Sequence, residues 1–343
     1  MVAKKYIAGD VHVARTELAV DRNGIIINRF SVPTTIPAIR EVLLKVQRPR
    51  VFVIEEGCMS GWLFRNLRDQ VDQMIVCDPR RNHYIAKDGD KDDPIDAAKL
   101  AELARGGFLR EVYHSTDEDR TIFKEWVGIY HDRVREQTRQ KNKIYAIARA
   151  HGVVLEAAIF KVDVWNRWRN EIQDVELRVQ LELLYKGYIA VAEQVKAALR
   201  EITRRSKKYD IIGYWQELSG IGVVRAATLF AYLDTPWRFK KRSQLCKYCG
   251  LGLERSTSGT DKKGRPNKGS LHLAWQVNRR LKDAIMGATT NVIVGENPFG
   301  DQYRRLLKNG LTPDNAKHTV ARKLLAVLWG MWKRNERFDA QLL

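Results

Sequence analysis

The chain has 343 residues, enough for two domains with sizeable cores. Its hydrophobic fraction of 44% argues against a disordered chain, and no apolar run approaches the ~20 residues that a bilayer span needs. The formal charge is +19 and uneven: residues 1–110 hold 18 Lys/Arg against 15 Asp/Glu, so +16 rests on the remainder. A basic C-terminal two-thirds points to a polyanionic partner, above all nucleic acid. Met1 to Ala8 has no long apolar stretch, so no secretion signal is expected. Four cysteines without such a signal argue against a disulfide scaffold, and the expectation is a cytoplasmic protein.

Lys4–Val13 alternates around a Gly-Asp pair and reads as a strand, followed by a second at Thr16–Val20. Asn23-Gly24 is a hairpin signal, which makes Ile25–Phe30 the third strand. Thr35–Val46 reads as a helix, Val51–Ile54 as a buried strand ending in Glu55, Ser60–Leu67 as a helix and Gln73–Cys77 as a strand. Residues 94–105 form a helix with Pro94 at its first position and Gly106-Gly107 as its stop. Three antiparallel strands followed by alternating helix and strand is the order of an RNase H-like α/β fold. From Asp117 to about Arg205 the prolines vanish. Arg120–His151 and Val164–Lys208 read as two long helices joined around Gly152–Lys161, an antiparallel hairpin, a dimer seam or a spacer. A third, mainly helical region starts near Ile211. The expected domains are 1–112, 113–208 and 209–343.

Four carboxylates stand where such a fold would gather them. Asp10 sits inside the first strand, where a charge is expensive unless something compensates it. Glu55 ends the second apolar strand. Asp93 and Asp96 lie three apart at the start of a helix and share a face. Carboxylates suit Mg²⁺, with Mn²⁺ as an alternative, and a pair of such ions can stabilise both oxygens exchanged at a phosphate. Singly, each acid has a plainer reading: Asp93 as a helix cap, Glu55 and Glu56 as a solvent-facing strand end, Asp96 as a first-turn carboxylate.

The basic half holds two further patterns. Leu218-Ser219-Gly220-Ile221-Gly222-Val223-Val224 reads as a helix-hairpin-helix turn, whose glycines Gly220 and Gly222 let backbone N–H groups approach phosphates. The plainer alternative is an interhelical turn. Glu254–Gly269 is rich in Gly, hydroxyls and cations, and Lys262, Lys263, Arg265 and Lys268 suit a phosphate backbone. Composition favours phosphate contact there and singles out no nucleophilic serine. Cys246 and Cys249 form a CxxC with no second ligand pair in reach, so they read as helix packing.

These residues resemble the insertion-sequence-110 family of DEDD transposases, which includes the Piv-type DNA invertases, over nearly the whole chain. Gly9-Asp10-Val11 is similar to its first-strand motif. Glu55 to Leu67 resembles its glutamate motif, with the helix in register when Glu55 and not Glu56 is the ligand. Lys91-Asp92-Asp93-Pro94-Ile95-Asp96-Ala97 looks like its Lys-x-Asp-x-x-Asp-Ala. Arg139 to Lys143 resembles a basic segment of its first long helix, and Ser258-Gly259 falls on its Ser-Gly motif. The resemblance implies a RuvC-like domain in which Asp10, Glu55, Asp93 and Asp96 bind Mg²⁺. It also implies a C-terminal transposase domain in which Ser258 attacks the strand and forms a 5′-phosphoserine link. It further implies donor and target duplex DNA, a non-coding guide RNA, and a homo-oligomer, dimer or tetramer, with composite sites. Ser256 lies two residues before Ser258, so the nucleophile is open between them. Lys262–Gly269 departs from the commoner Ile-Ser-Lys-Arg-Gly wording, with Pro-Asn-Lys-Gly in its place.

The expected function is therefore RNA-guided DNA transposition or site-specific recombination by serine attack. A RuvC-like junction nuclease using metal-activated water is the alternative, and a non-catalytic nucleic-acid binder is the third. A membrane role is not expected.

Overall fold

The computed structural model describes residues 3–80, 93–256, 270–274 and 276–340. Two compact units, Met1–Glu118 and Asp119–Leu343, divide the chain.

The first unit is built on a mixed sheet of β1 (Lys5–Val11), β2 (Arg15–Arg22), β3 (Ile25–Pro33), β4 (Arg50–Glu55) and β5 (Gln73–Cys77), in the order β3-β2-β1-β4-β5. The first three strands are antiparallel neighbours, while β4 runs parallel to β1 and β5 parallel to β4. Asn23 and Gly24 both take positive φ, as a two-residue hairpin turn requires. Period-two alternation gives the sheet two apolar faces. Ile7, Phe52 and Ile54 cluster with Ile39, Leu43, Leu63 and Leu67 of α1 (Ile36–Lys45) and α2 (Ser60–Leu67). Ala8, Val51, Val53 and Cys77 cluster on the other face with Leu100, Ala101 and Ala104 of α3 (Asp93–Gly106). Three layers result, with the sheet in the middle.

Local polar contacts fix the strand ends. Arg50 is buried, and its guanidinium donates to the carbonyls of Val46 (2.5 Å) and Gln70 (2.6 and 2.9 Å), so α1 and the turn before β5 are tied to the start of β4. At the opposite end Thr34 Oγ1 donates to the His12 carbonyl at 2.7 Å. Its one proton is thereby used, so Thr16 is the donor in the 2.8 Å contact between the two hydroxyls. That pair pins the turn immediately after Asp10.

The second unit opens with α4 (Glu118–Ala150), continues through α5 (Val162–Trp168) and returns along α6 (Val175–Ser206). The long helices form an antiparallel hairpin. Asp119 meets Lys208, Arg133 meets Gln194, and Gln140 lies against Gly187. Fourteen residues and then seven along one helix match fourteen and seven back along the other, the spacing of a heptad seam. The reading of Val164–Lys208 as one helix is corrected here, since the chain breaks between Trp168 and Val175. Trp165 stacks on Tyr185 with ring centroids 3.9 Å apart and planes 3° apart. Residues twenty apart on one straight helix would be separated by about 30 Å. The chain therefore doubles back, and the Asp174 side chain caps the new helix at Leu177 N.

The remaining helices enclose the larger core: α7 (Asp210–Gln216), α8 (Val223–Leu233), α9 (Arg242–Tyr248), α10 (Arg279–Val292), α11 (Pro298–Lys308) and α12 (Pro313–Arg334). Trp215 sits at its centre, donating to the Leu328 carbonyl at 3.1 Å and meeting Trp332 edge-on at 5.3 Å. A short hairpin, β6 (Leu253–Ser256) and β7 (Ser270–Leu273), flanks the described part of this region. No helix among the described residues is long and apolar enough to cross a membrane.

Candidate active site and nucleic-acid interface

Asp10 stands near the C-terminal end of β1, and its side chain is 29% exposed. Strand alternation puts it on the face of Ala8, under α3. Gly9 before it is held by space: a Cβ there would meet Leu18, Ile54 and Phe52 at 3.2–3.4 Å. Gly9 pairs with Ile54 in the parallel register, so the next residues of the two strands are Asp10 and Glu55. Glu55 shares the face of Val51 and Val53, which is also that of Ala8. Two carboxylates thus end adjacent parallel strands on one side of the sheet. His12 Nε2 lies 3.1 Å from Asp10 Oδ2.

The direction of α3 follows from its other end. Arg105 pairs with buried Asp21 at 3.5 Å, and Asp21 is the cross-strand partner of Tyr6 at the start of β1. From Arg105 back to Asp96 is about 13 Å of helix, and from Tyr6 to Asp10 is about 13 Å of strand. Measured along their own elements, Asp96 and Asp10 are thus equally far from the Arg105–Asp21 contact. Asp96 is exposed, and Asp93 begins the same helix; the Asp93 side chain lies outside the described residues. Among the described residues no group of three or more His, Cys, Asp or Glu side chains is close enough to hold a metal ion.

Glu56, one residue beyond Glu55, is engaged elsewhere. Its carboxylate meets His114 Nε2 at 2.6 Å, and the imidazole lies against Phe64 with centroids 5.5 Å apart. Burial raises the pKa of Glu111, and the nearby His114 partly offsets this. An isolated histidine 58 positions from its carboxylate partner carries no sequence signal, and His114 escapes a reading of the sequence for that reason.

In the second unit the glycine turn separates into two roles. Gly220 has φ +83°, and a Cβ there would stand 2.9 Å from the Ala288 carbonyl and 2.7 Å from Asn291 Cβ. This glycine is required by close packing on α10. Gly222 is exposed, meets nothing within 4 Å and opens α8 with no side-chain cap. Arg139 and Lys143 are exposed on α4, Arg139 pairing with Glu136 at 3.2 Å. Cys246 and Cys249 are buried free thiols, and burial pushes both upward in pKa, most of all Cys249. Helix packing is the role they fill. Ser258, Lys262, Lys263, Arg265 and Lys268 lie outside the described residues, in the segment of sequence between β6 and β7.

Residues 9–151 match a family model described as "Transposase", that of the DEDD domain of IS110 elements. Residues 214–304 match a second, described as "Transposase IS116/IS110/IS902 family". The chain belongs to the IS110 family of transposases. A curated relative is the insertion element IS116 uncharacterized 44.8 kDa protein of Streptomyces clavuligerus. It is 25% identical over 150 residues, which is 44% of this chain and 36% of that protein. The first match begins at the glycine before Asp10 and takes in Glu55, Asp93 and Asp96; the second takes in the Gly220 turn, the CxxC and Ser258. The tip of the helical hairpin and the whole of α12 fall outside both.

Proposed function

We propose that this IS110-family chain is a DNA transposase that cuts and rejoins strands with a RuvC-like carboxylate site and a serine nucleophile, directed by a non-coding RNA. The single observation that carries the reading is that Asp10 and Glu55 each follow the last registered pair of two adjacent parallel strands, on the sheet face packed against a helix whose first turn holds Asp93 and Asp96. The strand order β3-β2-β1-β4-β5 supports an RNase H-like fold for the first unit.

The donor chemistry fits a divalent cation of the Mg²⁺ or Mn²⁺ kind: all four side chains offer hard carboxylate oxygens. Asp10, Glu55, Asp93 and Asp96 would hold it. Bound there, the ion supplies positive charge to a phosphate undergoing substitution. Ser258 Oγ attacks phosphorus, the bond to the 3′ oxygen breaks, and the serine proton ends on that 3′ hydroxyl. One phosphoester replaces another, so the energy of the broken bond is kept for rejoining. The excess of cations in the second unit, with Arg139, Lys143 and the Lys262–Lys268 segment, holds DNA and RNA backbones. Base pairing with the RNA selects donor and target, as guides do in other systems.

A homo-oligomer is part of the same reading. Val175, Val179 and Leu183 are 56%, 57% and 72% exposed at four-residue spacing along α6, a stripe suited to a second copy.

The deciding experiment incubates labelled junction DNA with the protein, Mg²⁺ and the RNA transcribed beside the gene, then runs a denaturing gel. A covalent adduct lost in Ser258→Ala and in Asp10→Asn but kept in Ser256→Ala is expected. Cleavage without an adduct would replace this reading by the hydrolytic junction nuclease.

A further inference from the structure

α12, which lies beyond both family matches, forms a cationic face with the turn before α9 and the start of that helix. A cavity of about 210 Å³ lies against α12, lined by Arg242 at the start of α9 and by Lys323, Arg334 and Arg337, with Asp339 as the acid on its wall. Arg242 uses one Nη2 contact, at 3.1 Å, on the Arg322 carbonyl, which anchors the side chain and leaves further guanidinium donors. Arg334 pairs with Glu336 at 2.7 Å and Arg337 with Glu217 at 2.8 Å; all four of these side chains are exposed. Such solvent-exposed pairs are weak and exchange readily for a phosphate.

Lys333, the residue before Arg334 on the same helix, reaches an indole with no core role. Trp237 is 69% exposed on the short turn Pro236–Arg238. The turn is fixed, because Trp329 Nε1 of α12 donates to the Pro236 carbonyl at 2.7 Å. Lys333 Nζ lies 3.6 Å from the Trp329 ring centroid and 5.3 Å from that of Trp237. A rigidly mounted, water-exposed indole flanked by a cation, with a basic cavity lined from the same helix, has the parts of a single-strand platform: a face for a base and a groove for its phosphates.

We propose that this face binds single-stranded nucleic acid, with Trp237 stacking on a base and Arg242, Lys323 and Arg334 contacting the adjoining phosphates. The inference rests on the nucleic-acid role proposed above and assigns it a surface. A strand-exchanging enzyme must hold segments that have left their duplex, and a stacking platform discriminates those from paired DNA because paired bases hide their faces.

The test is fluorescence anisotropy with a labelled oligothymidylate and a duplex of equal length. EDTA is present, so that cleavage plays no part. Trp237→Ala should weaken single-strand binding roughly tenfold and duplex binding far less, with Trp237→Phe restoring most of the loss. The Lys323→Gln/Arg334→Gln double variant should weaken both and flatten the salt slope by roughly one and a half to two. Lys45→Gln with Arg68→Gln in the first unit is the charge control and should change neither. Circular dichroism verifies that each variant is folded. Unchanged affinities in folded Trp237→Ala and in the double variant, or equal losses on both probes for Trp237→Ala, overturn the surface while leaving the functional reading intact. Wild-type protein that binds neither probe overturns the functional reading itself.

Discussion

His114 and Glu56 form a 2.6 Å hydrogen bond one residue beyond the carboxylate that ends β4. The pair gives two adjacent acids different surroundings: Glu56 is held by a side chain distant in sequence, while Glu55 alternates onto the Asp10 face of the sheet. The expectation is that Glu55→Gln abolishes strand cleavage, by 10²-fold or more if the carboxylate serves a metal, with the melting temperature kept. Glu56→Gln should keep most of the activity and cost at most about 1 kcal/mol of stability, since the Glu56 side chain is 40% exposed. Cleavage rates and melting curves of the two variants decide this; a reversed pattern would assign the ligand to Glu56.

Gly220 and Gly222 give opposite predictions although they stand two residues apart. Gly220→Ala places a methyl group against the Ala288 carbonyl at a backbone angle of φ +83°. Strain of this kind costs about 1–3 kcal/mol, which for a unit of this size lowers the melting temperature by roughly 3–10 °C. Gly222→Asp meets no neighbour and supplies α8 with a cap it lacks. Its melting temperature should hold or rise. The new carboxylate would also sit where a phosphate approaches the helix start, so duplex affinity should fall roughly tenfold if the turn is a phosphate contact. Unchanged affinity in Gly222→Asp would leave the turn as an interhelical link alone.

His131 should make the second unit acid-sensitive. Thr228 spends its proton on the Val224 carbonyl at 2.7 Å, so His131 Nε2, 2.8 Å away, is the donor in their contact and carries the proton of the neutral ring. Burial, with Arg280 nearby, lowers the His131 pKa below its ordinary 6.5. A depressed folded-state pKa means that the unfolded chain takes up the proton more readily. The stabilising contribution is therefore present above pH 6.5 and is lost as pH falls through the folded value. Chemical denaturation of the wild type across this range should show the decline. In His131→Gln, which keeps a donor at the same reach, the decline should be smaller, and an identical pH profile would rule this histidine out as its source.

Much of the first unit was legible because its signals are local. Asn23-Gly24 dictates its turn, alternation dictates the two faces, and Pro94 with Gly106-Gly107 brackets α3 to within a residue. Asp10 was legible for a related reason, as a charge in an apolar strand. Three features were not. The break between α5 and α6 depends on Trp165 finding Tyr185, a long-range contact that helix propensity does not encode. The Glu56–His114 pair depends on fold closure. The platform of Trp237, Lys333 and Arg334 joins a turn to a helix about a hundred positions later, and neither segment carries a motif.

The α6 stripe predicts self-association. Val179→Lys with Leu183→Lys puts charge on side chains that are already exposed, so the fold of the chain should be kept. Sedimentation velocity should then show a shift toward monomer relative to wild type. An unaltered oligomer would move the interface away from this stripe.

The hairpin tip tests how an unpaired polar group is tolerated. Tyr185 is 5% exposed and its hydroxyl has no hydrogen-bond partner among the described residues, while its ring stacks on Trp165. Burying a hydroxyl without a partner costs about 1–3 kcal/mol by mutational measures. Burial also raises the Tyr185 pKa, as expected of a phenol whose charged form is poorly solvated. Tyr185→Phe keeps the stacked ring and removes the unpaired group, so it should be neutral or stabilising by up to about 1 kcal/mol. Tyr185→Ala removes the ring from a small cluster that includes Ile144, Leu181 and Tyr188 and should cost about 3–5 kcal/mol. Because that cluster lies away from the Trp215 core, the loss should appear first as faster amide exchange in α5 and the facing parts of α4 and α6. A Tyr185→Phe variant markedly less stable than wild type would mean that the hydroxyl is satisfied by a bridging water, the usual remedy for such a group.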